Sequence, residues 1–125
     1  VRIARDGRVR VAGDERGSAT VAGACAIAAL AGLVVLVLFV GAAVAARHHA
    51  QSAADLAALA AASALVLGEA DPCAQADVIA GRAGAVVASC APEDGDVVVS
   101  VDVYVELGLL GHRPARATAR AGPVP

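Results

Sequence analysis

An α+β fold is predicted: a long N-terminal helix, half membrane-spanning and half exported, packed on a small antiparallel three-stranded sheet. Three observations carry it. An uncharged run extends from Gly17 to Ala46; the next twenty residues contain no Gly or Pro and are dominated by Ala; and two later stretches alternate between an apolar face and a mostly polar one. The composition agrees. Of 125 residues 58% are hydrophobic, yet only 2% are aromatic, so the apolar content is Ala and Val, and a dense core of large side chains cannot be built. The net charge of −2, with every basic residue an Arg, excludes a generally basic nucleic-acid binder.

The first element is the span. Its centre, from Leu30 to Val40, is almost wholly Leu and Val, and residues 21–46 rise about 39 Å at 1.5 Å each, enough to cross a hydrocarbon core of about 30 Å. Five Arg lie before it, at positions 2, 5, 8, 10 and 16, while the acids predominate after it. The positive-inside rule then places the N-terminus in the cytoplasm and residues from about 47 onward outside the cell membrane, in a single pass. The expected organisation is a cytoplasmic basic segment over 1–17, a transmembrane helix over 18–46, and an exported α+β head with a helical stalk over 47–125. Ala43-Val44-Ala45 fits the small-x-small pattern of signal peptidase and offers an alternative, a small secreted domain cut after Ala45; the apolar run is longer than a signal sequence needs.

Beyond the membrane the helix is expected to continue to Leu67, about 75 Å in all if unbroken from Ser18. Arg47, Gln51 and Asp55 fall at successive fourth positions and form a polar stripe, with Leu56, Leu59 and the many Ala as packing surface. Gly68 to Pro72 ends it. A short second helix follows, with Asp71 as N-cap, Pro72 at its first position, and Ala76, Ile79 and Ala80 on one face. Ala85 to Cys90 reads as a strand. Asp94-Gly95 is a favoured hairpin pair, and residues 97–107 alternate Val97, Val99, Val101, Val103, Val105 and Leu107 with mostly polar neighbours. After a loop over 108–114 a third strand covers 115–121, whose outward Arg116 and Arg120 face a strand carrying Asp102 and Glu106, so cross-strand ion pairs are expected. Only the long helix can cover the Val face.

Candidate chemistry is sparse. Cys73 and Cys90 both lie in the exported part and are expected to form a disulfide, closing a loop of about 18 residues worth roughly 3 kcal/mol in the chain-entropy model. Cys25 reads as a small apolar residue of the span. Adjacent His48 and His49 point about 100° apart on a helix and lack the i, i+4 spacing of zinc helices, and Glu93, Asp94 and Asp96 lack calcium-loop spacing. No catalytic motif, cofactor site or metal site is predicted, nor is a nucleic-acid partner. Ala28 and Gly32 form a small-x3-small pair through which one membrane helix can pack against another.

The run Gly17-Ser18-Ala19-Thr20-Val21, an apolar helix, and then Arg47-His48-His49-Ala50-Gln51-Ser52-Ala53-Ala54-Asp55-Leu56 resembles the TadE/TadG-like proteins of tight-adherence, Flp-type pilus systems. It is most similar to the short actinobacterial TadE-like type, whose Asp-Glu-Arg-Gly-Ser-Ala-Thr-Val opening stands here at 14–21. The resemblance implies a non-enzymatic pseudopilin or minor pilin that works beside pilin-like proteins, a platform protein and a secretion ATPase, with Gly17 and Ser18 at the position of prepilin processing. There is one departure: pilin-like proteins commonly carry Glu five residues past that position, and here the residue is Ala22. An uncleaved, bilayer-resident assembly factor fits this sequence equally well. The helix residues expected to carry subunit packing, in homo- or hetero-oligomers, are Ala28, Gly32, Gln51, Asp55, Leu56 and Leu59. A reading from another class is a membrane-anchored binding or regulatory module of the cell envelope.

Overall fold

Pro is absent before position 72, and the interior Gly residues cost the helix only about 1 kcal/mol each without ending it. Accordingly, the first element of the computed structural model is helix α1, Arg2–Val66, which starts well before the Ser18 expected from the charge pattern. Nothing in residues 2–17 stops a helix, and Arg, Ala and Glu favour one. The described residues are 2–106 and 108–124, with residues 2–16 and Leu110 described through their backbone alone. Leu107, expected to close the long strand, and the side chains of the basic N-terminal segment lie outside them. The chain divides into two units, Val1–Val40 and Gly41–Pro125. The first is helical throughout its described residues. The second, the head unit, holds the rest of α1 and all later elements.

Helix α1 ends in a Schellman motif. Gly68 takes a positive φ of 76°, the Glu69 N–H donates to the Ala64 carbonyl at 3.0 Å, and the Gly68 N–H donates to that of Leu65 at 3.1 Å. Helix α2, Pro72–Arg82, opens as expected: Pro72 is in the first turn and Asp71 caps it, accepting from the Ala74 N–H at 3.3 Å. A second Schellman motif closes it at Gly84, where the Ala85 N–H reaches the Ala80 carbonyl at 2.9 Å.

Strands β1 (Val86–Glu93), β2 (Asp96–Glu106) and β3 (His112–Ala121) form an antiparallel meander in sequence order. Asp94 and Gly95 both have positive φ, 51° and 92°, which defines a type I′ turn and matches the twist of the hairpin they join. Two strands are longer than their alternation suggests. β1 runs on through Pro92 and β3 begins at His112, ahead of Pro114, so the expected loop over 108–114 is only a short 3-10 turn, Gly108–Leu110. Both Pro lie on edge strands, where a missing N–H need not break the ladder.

β1 also contains an irregularity that its sequence conceals. Val87 pairs with Val101 and Cys90 with Val99, and the register shifts between Val87 and Ser89. Residues three apart normally face opposite sides of a sheet. The extra residue, Ala88, turns both Val87 and Cys90 toward the core.

The core is built almost entirely from Ala and Val. Val97, Val99 and Val101 on β2 are fully buried, each contributing about 1.5–3 kcal/mol, with Ala117 and Ala119 of β3 beside them. Over them lies a face of α1 made of Ala50, Ala53, Ala54, Ala57, Ala58, Ala61 and Ala62, with Ala76 and Ala80 of α2 completing the cluster. The spacing is that of one helix face. Leu56 and Leu59, expected on a packing surface of the helix, take no part in the packing of α1 on the sheet and are 54% and 58% exposed. They sit on the opposite side of α1, because the sheet approaches the helix where side chains are smallest.

Candidate interaction surfaces of the long helix and the head

From Gly17 to Val66, α1 meets the length and hydropathy of a membrane span, with a mean hydropathy of 2.9 in its most apolar window, and none of that window is buried within the chain. Leu30, Val34, Leu38 and Phe39 are all exposed. A run of large apolar side chains with no cover is costly in water and favourable in lipid. Ala28 and Gly32 lie on this surface, and a Cβ added at Gly32 would meet no atom within 4 Å. Gly17 and Ser18, the pair expected at a processing position, are exposed residues within α1. Cys25 is a free, exposed thiol.

Further along α1 the side chains facing away from the sheet are polar first and apolar later. The Gln51 amide donates to the Asp55 carboxylate at 3.0 Å, holding the polar stripe one turn apart. Leu56, Leu59 and Val66 follow as exposed apolar residues on a helix face spaced 3, 4 and 3 around Ser63, whose hydroxyl donates to the Leu59 carbonyl at 2.8 Å. His49 has a task that its sequence neighbourhood did not reveal. Its Nε2 lies 2.7 Å from the carbonyl of Ala83, the C-cap of α2, so the ring fastens α2 to α1. A signal for this contact was absent from the sequence, since 34 residues separate the partners.

Cys73 and Cys90 are joined in a disulfide with a Cα separation of 5.9 Å. It links the first turn of α2 to the inner face of β1, the face to which the bulge turns Cys90.

On its outer face the sheet carries a ladder of polar pairs. Arg116 donates to both oxygens of Asp102, at 2.8 Å each, an ion pair across the strands of the expected kind. Arg120 instead reaches Asp96 at 2.6 Å and Glu93 at 3.9 Å, while Glu106 stands opposite His112. Between them the Ser100 and Thr118 hydroxyls meet at 2.7 Å. Asp102 is only 8% exposed. Its hydrogen bonds from Arg116 hold its carboxyl below the ordinary carboxylate range, against the opposing effect of desolvation, and the Asp102 carboxylate in turn raises Arg116. The head therefore gains stability from this pair above the unfolded carboxyl value and loses it as pH falls through the lower folded value. In melts taken from about pH 6 down to about pH 2, the Asp102→Asn chain is expected to show a shallower acid limb than the parent; parallel limbs would count against the pair. Among the described residues, no group of three or more His, Cys, Asp or Glu is placed to hold a metal ion.

The surface available for recognition is thus the unburied flank of α1, and it coincides with a family pattern. Residues 17–64 match the TadE/G-like Flp pilus-assembly family. The TadE/G-like match takes in the apolar span, the polar stripe and the Ala face, and it stops two residues before α1 ends. It includes Ala28, Gly32, Gln51, Asp55, Leu56 and Leu59 but neither cysteine of the disulfide. No curated protein and no solved structure matches the chain. That family is described as one of Flp pilus assembly, and the matched stretch lies wholly within α1.

Proposed function

We propose that this chain is a non-enzymatic, single-pass subunit of the pseudopilin or minor-pilin kind, serving the assembly of a tight-adherence pilus or a related secretion apparatus. The observation that carries this reading is a single α1 that combines an unburied apolar span with an Ala face committed to the chain's own sheet, over the same residues that match the TadE/G-like family. The N-terminus lies in the cytoplasm, the head unit outside, and the span over 18–46, as the Arg bias before residue 17 favours. Its partners are pilin-like subunits and a platform protein, met along Ala28 and Gly32 in the bilayer.

Gly32 makes this testable. Nothing within the chain would touch a side chain there, so Gly32→Leu leaves the protein's own fold unaltered and changes only what approaches the helix. In membranes of the native cell, Gly32→Leu and Ala28→Leu are expected to weaken cross-linking to pilus-system partners by roughly 3- to 30-fold, the equivalent of about 0.6–2 kcal/mol of helix–helix packing. Cross-linking unchanged in both variants would overturn the packing role. A native product beginning near Ala46 and found in soluble fractions would overturn the anchor itself.

A further inference from the structure

The tip of the β2–β3 hairpin is out of keeping with a head surrounded by water. Leu109 is fully exposed there, between Gly108 and Gly111, whose positive φ values of 60° and 79° close the turn. Arg113 is exposed at the second residue of β3, opposite Val105, and Tyr104, the only Tyr in the chain, is 60% exposed two residues before the end of β2. Glu106 and His112 face each other at 3.9 Å across the base of the turn. An apolar tip with a phenol and a guanidinium beside it is the composition found where protein meets the membrane–water interface.

Contacts inside the head unit give the height of this tip along α1. At the end far from the span, Gly122 and Pro123 share a groove with Leu59, Ser63, Val66 and Leu67, so β3 finishes beside the last turns of α1. At the near end, the His49–Ala83 bond places the end of α2 beside the start of the buried Ala face, and three residues later the chain enters β1 at Val86, the partner of Asp102. Asp102 therefore lies near the level of Ala50. From there β2 continues to Glu106, an advance along α1 of up to about 13 Å at about 3.3 Å per residue. Helix α1 covers that distance in about nine residues, which reaches back to Gly41 or Ala42. The uncharged run ends at Ala46. The tip is thus level with the last turns of the span, within an interfacial layer about 5–7 Å deep on each side of the hydrocarbon.

We propose that the β2–β3 tip is a second membrane contact: Leu109 enters the phospholipid interface on the exported side, with Tyr104 and Arg113 at the level of the headgroups. The occupant of this surface is the lipid that α1 itself crosses, so the inference rests on the membrane anchor of the preceding reading. A tip held in the interface restricts the tilt of the head unit against the membrane plane.

The chain contains no Trp, so one can be introduced as a sole reporter. The full-length protein in phosphatidylcholine–phosphatidylglycerol nanodiscs, with and without brominated acyl chains, is compared as Leu109→Trp, Leu36→Trp in the span and Leu67→Trp at the far end of α1; all three positions are exposed, and melting curves verify each head. The expected result is blue-shifted emission, quenched by bromolipid, for Leu109→Trp and Leu36→Trp but not for Leu67→Trp. Quenching of Leu36→Trp alone would overturn the tip contact and leave the anchor standing. A blue shift at Leu109→Trp without quenching would place the tip against protein instead of lipid and also overturn it. Loss of quenching at both positions would remove the anchor, and the tip contact with it.

Discussion

Replacing both disulfide partners, as Cys73→Ser with Cys90→Ser, is expected to lower the stability of the head unit by about 3 kcal/mol, the chain-entropy value for a loop of roughly this length. The sequence separation is 17 residues. For a small domain whose total stability is about 5–15 kcal/mol this is a large share. The reason lies in the materials of the core: its fully buried large side chains are three Val, and the rest of the cluster is chiefly Ala, so little apolar area is available to hold α2 against β1. Urea unfolding of the full-length chain in detergent micelles, oxidised and reduced, reads the effect directly, and coincident midpoints would show that the Ala–Val cluster suffices without the cross-link.

The second large effect runs against the usual ranking of hydrophobic residues. Ala57→Leu adds apolar surface to an apolar face, yet it is expected to destabilise the head by about 1–3 kcal/mol, because position 57 is fully buried between α1 and the sheet and the added atoms must displace their neighbours. Leu59→Ala removes the same atoms two positions on and is expected to change stability by less than about 0.5 kcal/mol, since Leu59 is exposed and touches none of the core. Thermal melts of the two variants decide it; equal shifts would mean that the sheet does not approach α1 along the Ala face.

That pair also shows how far the sequence could be read. The long apolar helix, the α2 cap at Asp71, the Asp94-Gly95 turn and the alternating Val of β2 were legible because each depends on residues close together in the chain. The pairing of Cys73 with Cys90 was legible because only two cysteines lie beyond the span. What could not be read depends on distances between elements. Leu56 and Leu59 look like packing residues by hydrophobicity, but the sheet selects the face that allows closest approach, and that is Ala. The bulge at Ala88 carries no mark in Ala85 to Cys90, since Ala fits either side of a strand. β3 starts at His112, before Pro114, because β2 extends to Glu106 and offers partners that the composition of 112–114 does not announce. For Arg116 and Arg120, alternation gave the face but not the register, which pairs them with Asp102 and Asp96.

The Ala face has a final implication, which concerns alignment. A surface of identical small residues repeating along a helix is close to self-similar, and moving α1 by one turn, about 5.4 Å, would again set Ala against the sheet at most positions. The two ends of the series break the symmetry. A slide one way puts His49 where Ala53 now lies, forcing an imidazole into the core and losing its bond to Ala83; a slide the other way puts Leu65 and Val66 where Ala61 and Ala62 now lie. The smooth middle of the helix permits a close fit, and its two ends act as stops that leave the sheet a single place to rest.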